Sequence, residues 1–399
     1  MDFQLSEEQR IFREQVRGFA ERHLAAGALE RAHSSDYPWD VARLMAENGL
    51  LGITIDEADG GIGGQLMEAV LAIEEIAQVC PRSGDVVQTG NFGAIRTLSE
   101  FGTPEQKERY LRPLLKGDGL ICVAMTEPNA GSAVTELTTA AKPDGKGFRL
   151  NGGKVFTTHS THATVFLVYV RFGPGVGGIG SVLVERGAEG LSFGRASRFH
   201  SGEDWNALQF DDVYIAPQHV LLGPGGFKKQ MSAFNVERLG NTTRSLALGR
   251  HAYETARRHM LVRKQFGRVL AEFQGLQWKM ANVRIALEAA QLLLYRAASN
   301  ADRGLPSPTE TAIAKVACNR AGYEAANEAM QVMGGTGFSE DSLVEYCLRR
   351  TRGWMIAGGA IEILLNRIAE DVFERSFSQR PDGGSSGGGQ RKESGKDSG

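Results

Sequence analysis

Residues 234–249 read FNVERLGNTTRSLALG, and the one carboxylate in that stretch is Glu237. Arg238 follows it directly, and most of the remainder is small, neutral or apolar. Apolar surroundings disfavour the ionised form of a carboxylate and bring its pKa towards neutrality, which suits a general base. A second stretch, WMIAGGAIEI at 354–363, places Gly358 and Gly359 in an apolar run where a side chain is expected. A third, VAMTEPNAGSA at 123–133, offers the hydroxyls of Thr126 and Ser132 and backbone N–H groups around Ala130 and Gly131. Such groups suit the carbonyls and ring nitrogens of a heteroaromatic cofactor. The same residue types also serve any strand-to-loop exit.

Other motifs fail on context. GPGVGGIG at 173–180 satisfies GxGxxG twice, but the runs on both sides read as strands. Dinucleotide binding needs a strand before the glycines and a helix after them, so the expectation is a hairpin loop. GGSSG at 383–387 matches a serine-nucleophile pattern without a strand-turn-helix around it. The eight histidines show no HxxxH pairing, and the four cysteines (Cys80, Cys122, Cys318, Cys347) show no metal spacing. Dispersed thiols suit a reducing compartment. A formal net charge of −2 gives no electrostatic case for nucleic acid or an anionic membrane. The start, MDFQLSEEQR, lacks the apolar run of a signal peptide, and ATVFLVYV at 163–170 is too short to span a bilayer. The expected location is cytoplasmic.

These residues need elements to position them. Residues 1–120 read as a helical domain, with Ser6/Gln9 and Thr103/Gln106 as capping pairs and Pro104 at a first helical position. From 121 to 226 the period changes to short β-rich runs, read as a compact antiparallel barrel or sandwich. From 227 to 377 the helical period returns. Leu276, Met280, Val283, Leu287, Ala290 and Leu294 alternate steps of four and three, Ser307 and Glu310 form a capping pair, and a further helical run covers 354–377. Long helices with broad apolar stripes imply a bundle. Residues 378–399 hold no large apolar residue and are expected to be disordered.

Six stretches in order resemble the acyl-CoA dehydrogenase family: AMTEPNAGS (124–132), NGGKVFTT (151–158), FDDVYIAPQHVLLG (210–223), RKQFGRVLAEFQGLQ (263–277), MQVMGGTGF (330–338) and IAGGAIEI (356–363). The resemblance implies an α+β chain with an N-terminal helical domain, a central β-barrel-like domain and a C-terminal four-helix bundle. It also implies FAD, an acyl-CoA (or acyl-carrier) thioester, an electron-transfer flavoprotein as acceptor, and a homotetramer. By position, Met125 and Thr126 face the flavin ring and Ser132 lies near cofactor and thioester. Phe156 stands where Trp is usual, and Thr158 is the flavin-contacting threonine. Arg263, Phe266 and Gln274 of another subunit, with Gln331 and Gly335, hold the pyrophosphate and adenosine half.

In many members of that family the α-proton is taken by a Glu at the place of Gly358, which has no group to accept one. A minority, of isovaleryl- or long-chain type, carries the Glu earlier and directly before an Arg, which is Glu237 here. The amide of Gly358 is still implied as a donor to the thioester carbonyl, and Arg238 as a CoA or site contact. Ala357 replaces a frequent aromatic near the acyl chain, suggesting room for a branched, cyclic or aryl group. Ala133, Ala360 and Ile361 also depart from the pattern. Two rival readings remain: a relative that eliminates a β-substituent or a sulfinate without net oxidation, and a non-catalytic FAD-binding subunit.

Overall fold

The computed structural model describes residues 4–301 and 304–377. The tail expected to be disordered, and the serine pattern within it, lie outside the described residues. The N-terminal part holds α1 (Glu7–His23), α2 (Ala28–His33), α3 (Trp39–Glu47), α4 (Leu66–Val79), α5 (Gly84–Asn91), α6 (Ala94–Phe101), α7 (Pro104–Gln106) and α8 (Arg112–Leu115). Both expected capping boxes form: Ser6 with Gln9, and Thr103 with Gln106. α4 is buried along most of its length, because Leu66, Val70, Ile73 and Ile76 meet α1 on one side and the C-terminal helices on others.

The middle part holds β1 (Ile121–Ala124), β2 (Ala140–Asp144), β3 (Gly147–Thr158), β4 (Val165–Arg171), β5 (Ile179–Glu185), β6 (Leu191–Phe193), β7 (Ser197–Arg198), β8 (Asp204–Ile215) and β9 (Val220–Leu222). They form one sheet in the order β6-β8-β3-β2-β4-β5-β9, with β1 on β4 and β7 on β8. The expectation of an antiparallel barrel is corrected here. β6 and β9 do not pair, so the sheet is open, and β1–β4 and β2–β4 are parallel. The glycines at 173–180 join β4 to β5 as an antiparallel hairpin, as their strand flanks required.

The C-terminal helices are α9 (Phe227–Val262), α10 (Gln274–Ser299), α11 (Pro308–Met333), α12 (Gly335–Phe338), α13 (Leu343–Trp354) and α14 (Ile361–Val372). A ribbon of β10 (Lys264–Gln265) and β11 (Arg268–Val269) links α9 to α10. The single run expected over 354–377 is broken: Gly358 and Gly359, at φ +72° and +97°, turn the chain between α13 and α14. At the start of α11, Ser307 accepts from the Glu310 N–H, but the Glu310 carboxylate takes Asn300 and Arg296 instead of closing a box. α9 and α11 cross so closely that a Cβ on Gly249 would lie 2.6 Å from the Gly322 Cα. That crossing fixes α9 against both the bundle and α4–α6, with Glu237 at the junction.

Candidate active site

Glu237 sits one-third of the way along α9, surrounded by protein yet retaining some solvent access, as at the floor of a cleft. Its Oε1 accepts from Gln88 Nε2 of α5 at 2.7 Å and from Asn241 Nδ2, one turn on, at 3.2 Å. Among the described residues Oε2 accepts no hydrogen bond, and it faces Gly93, where a Cβ would lie 2.5 Å away. Gly93 has φ +73°, a conformation suited to glycine, so the sequence leaves this oxygen uncovered. Burial raises the Glu237 pKa above the usual glutamate value, while Arg244, Gln88, Asn241 and Lys315 pull it back. One oxygen is therefore anchored and the other left basic.

The turn at Gly358 lies against the same group. A Cβ on Gly358 would meet Asn241 Nδ2 at 3.1 Å and Lys315 Cε at 3.4 Å. Arg238 Nε donates to Gly358 O at 2.9 Å, Nη1 donates to Asn235 Oδ1 at 2.7 Å, and its guanidinium lies over Phe234. Arg238 therefore holds the turn from its carbonyl side. The Gly358 N–H donates to nothing within the described residues, so it is open to an external acceptor. Lys315, fully buried, donates to Trp354 O at 2.7 Å; burial and the nearby Arg238 bring its pKa down to about 7, against the opposing pull of Glu237. Ala357, next to the turn, is exposed.

A second group of expected residues gathers where β1 leaves the sheet and β3 bends. The Val155 N–H donates to Thr126 O at 2.8 Å, and Lys154 Nζ donates to Met125 O at 3.1 Å. Lys154 also pairs with Glu127 Oε1 at 2.8 Å, and Glu127 accepts from Thr138 and Thr139 as well. Burial alone would raise the Glu127 pKa; the Lys154 charge and these donors bring it to about 2. Burial lowers Lys154 to about 8 despite its partner. This internal ion pair ties the MTEP loop to the KVFTT strand. Met125, Thr126 and Thr158 remain partly open, and Ser132 is exposed. Phe156 is 54% exposed at φ +59°, its ring 4.6 Å from Trp205 and 6.2 Å from Phe199.

Arg263, Phe266, Gln274, Gln331 and Gly335 are all exposed. Phe266, at the tip of the β10–β11 ribbon, is 94% exposed with φ +51°. Sequence reasoning missed Gln88, Gly93, Asn241 and Lys315 around the base. It also missed Glu127 and Lys154, although both lie inside quoted motifs and a charge in each was the available signal.

Three domain models, for the N-terminal, middle and C-terminal domains of acyl-CoA dehydrogenases, match residues 6–118, 122–213 and 224–373. The chain belongs to the acyl-CoA dehydrogenase family, a family of enzymes. It is 32% identical over 378 residues to a short-chain-specific acyl-CoA dehydrogenase of Clostridium acetobutylicum, covering 94% of this chain and 100% of that one. It is 33% identical over 387 residues to a 3-sulfinopropanoyl-CoA desulfinase of Paraburkholderia xenovorans, covering 95% and 99%. Among solved structures, butyryl-CoA dehydrogenase of Megasphaera elsdenii superposes with a TM-score of 0.87 at 29% identity, covering 94% and 100%. Among the described residues no helix is long and apolar enough to cross a membrane, and no group of metal-ligating side chains occurs.

Proposed function

We propose that this chain is an FAD-dependent dehydrogenase of acyl-CoA thioesters, of the subgroup that carries its base at the earlier position. The carrying observation is Glu237: a deep carboxylate with one oxygen anchored by Gln88 and Asn241 and the other left without a hydrogen bond. The Oε2 atom accepts the α-proton. The Gly358 N–H, which has no acceptor among the described residues, donates to the thioester carbonyl oxygen and stabilises the charge that develops there as the proton leaves. Arg238 keeps that turn in place through the Gly358 carbonyl. Ser132 and Ala357 border the acyl thioester.

The residues present fit a flavin. The MTEP loop offers partly open backbone and the Thr126 hydroxyl, β3 offers Thr158, and Phe156 presents an exposed aromatic face beside them. Bound FAD supplies the acceptor for the hydride of the β-carbon, so the products are an α,β-unsaturated thioester and reduced cofactor. Met125 and Ser132 complete that wall. Arg263, Phe266, Gln274, Gln331 and Gly335 take the diphosphate and adenosine half from a neighbouring subunit. Support for this comes from Phe266, since an ordered ribbon tip exposing a whole phenyl ring favours a partner surface. Trp278, Ile285 and Leu292, seven residues apart along α10 and exposed, extend the apolar face that a homotetramer would cover. An electron-transfer flavoprotein is the proposed acceptor of the electrons.

The test is anaerobic flavin bleaching by a panel of acyl-CoA thioesters. Bleaching with a stoichiometric unsaturated product supports dehydrogenation. Release of a β-substituent with the flavin still oxidised would show elimination, the chemistry named for the desulfinase relative.

A further inference from the structure

Glu237 belongs to α9, and Gly358 to the turn between α13 and α14. A thioester that meets both needs their separation fixed. One residue touches the supports of each: Trp354, the last of α13, which is 3% exposed. The final carbonyls of a helix lack partners within it. Trp354 O is supplied with two from α11, one helical turn apart: Lys315 Nζ donates to it at 2.7 Å and Asn319 Nδ2 at 2.6 Å. Both donors are fully buried, and an ammonium suits the negative end of a helix. Beyond it the chain is tied locally. Gly353 O accepts from the Ile356 and Ala357 N–H groups at 3.1 and 3.0 Å, and Met355 O accepts from the Ile361 N–H at 3.2 Å. Gly358, four residues after Trp354, therefore hangs from a clamped carbonyl with little slack.

The indole of the same residue faces α9. Arg244 and Arg350 lie over it, their Cζ atoms 4.5 and 4.8 Å from the ring centroid. Such contacts strengthen when desolvated, and both guanidiniums are buried and share Asp85. Arg244 Nη2 donates to Asn241 Oδ1 at 3.2 Å, and Asn241 Nδ2 donates to Glu237 Oε1 at 3.2 Å. Burial raises the Glu237 pKa, and Arg244 leads the groups that oppose it. A run of direct contacts thus joins the indole to the base, while the backbone of Trp354 leads to Gly358. Arg238, beside the base, closes the circuit by donating to Gly358 O at 2.9 Å.

Resting on the dehydrogenase reading above, we infer that Trp354 is a positioning residue that holds Glu237 Oε2 and the Gly358 N–H at the separation one thioester requires. Its ring sets the α9 side and its carbonyl sets the turn. The α-carbon and the carbonyl oxygen of a thioester are attached to the same carbon, so their spacing is fixed. A base and a donor that drift independently cannot both reach them, and a misplacement on the order of 1 Å costs about 10²-fold in rate.

The experiment compares Trp354→Leu, Trp354→Phe and Asn319→Leu, all loaded with FAD. Flavin reduction is followed in single turnover across pH. In the Glu237→Gln background, which holds a thioester without turning it over, butyryl-CoA labelled at its carbonyl carbon is titrated and its carbonyl band is read by isotope-edited infrared spectroscopy. In the parent the band should lie below that of the free thioester, because the Gly358 N–H polarises it. Trp354→Leu should return the band towards the free value, move the pH midpoint up as Arg244 loosens, and slow reduction about 10²-fold with near wild-type affinity. Trp354→Phe keeps an aromatic face for the arginines and should recover most of the rate and of the band shift. Asn319→Leu removes one donor to Trp354 O, together with an Oδ1 that accepts nothing among the described residues, so it should fold. It should move the band but leave the midpoint in place. Trp354→Leu with the parent band and midpoint, whatever its melting temperature, overturns the inference. If that variant does not fold, Asn319→Leu with an unmoved band overturns it equally. A wild type that bleaches with no thioester, in a protein where these variants shift the band as stated, loses the dehydrogenase reading and keeps this one. Bleaching in the wild type with the band unmoved in Trp354→Leu loses this one alone.

Discussion

Gly93→Ala places a methyl group where the account needs open space. The added carbon would lie 2.5 Å from Glu237 Oε2 and 3.3 Å from its carboxyl carbon. Oε1 cannot follow freely, because Gln88 and Asn241 hold it at 2.7 and 3.2 Å. The carboxylate must therefore rotate or retreat by an amount on the order of 1 Å, and a displacement of that size at a reacting group costs about 10²-fold in rate. A residue with a side chain at φ +73° adds about 1–2 kcal/mol of backbone strain. The variant should fold, bind FAD, melt a few degrees lower, and bleach about a hundredfold more slowly in anaerobic stopped flow at saturating acyl-CoA. Bleaching within about twofold of wild type, in a variant with the predicted loss of stability, would refute Oε2 as the proton acceptor.

Other consequences are equally open to measurement. Lys154→Met leaves Glu127 buried without its cation, so stability should fall by about 3–5 kcal/mol in denaturant titration and FAD should dissociate more readily. Flavin reduction should rise with pH through a midpoint above that of ordinary glutamate, because burial raises the Glu237 pKa and only the ionised base accepts a proton. Asn241→Leu removes a group that lowers this pKa, so the midpoint should move further up. The same raised pKa means that the stability Glu237 contributes is present below its unfolded value and lost as pH rises through the folded one, so Glu237→Gln should not destabilise the protein at neutral pH. Phe266→Ser should weaken both subunit association by sedimentation and FAD retention by ultrafiltration; a wild-type profile in both would remove the ribbon from the cofactor site.

Local chemistry made much of this legible. The caps of α1 and α7 depend on residues three apart, and the strand flanks of the 173–180 glycines excluded a dinucleotide site on grounds that need no tertiary structure. Glu237 stood out because a carboxylate was present in one place and missing in another, at Gly358. What surrounds Glu237 was hidden by distance along the chain. Gln88 is 149 residues away, and nothing in the spacing of either residue signals their hydrogen bond. Glu127 and Lys154 were each in view, but their pairing depends on how β3 bends beneath the loop after β1. The openness of the sheet depends on which edges find partners, and strand patterns alone do not encode that. The glycines at 358 and 359 make the turn between α13 and α14, where the apolar residues around them had suggested an unbroken helix. Their positive φ values also bear on transplanting the base: Glu at 358 would be strained by about 1–2 kcal/mol and would crowd Asn241, so it should restore little activity to Glu237→Gln.

Glu237→Gln tests the central assignment most directly. Gln keeps the volume and the contacts with Gln88 and Asn241 but cannot accept a proton. With FAD bound and the best acyl-CoA in single turnover, the variant should bind the thioester with near wild-type affinity. It should reduce flavin about 10²–10⁴-fold more slowly, with no remaining pH dependence. Flavin bleaching at the wild-type rate would place the base elsewhere and contradict the account.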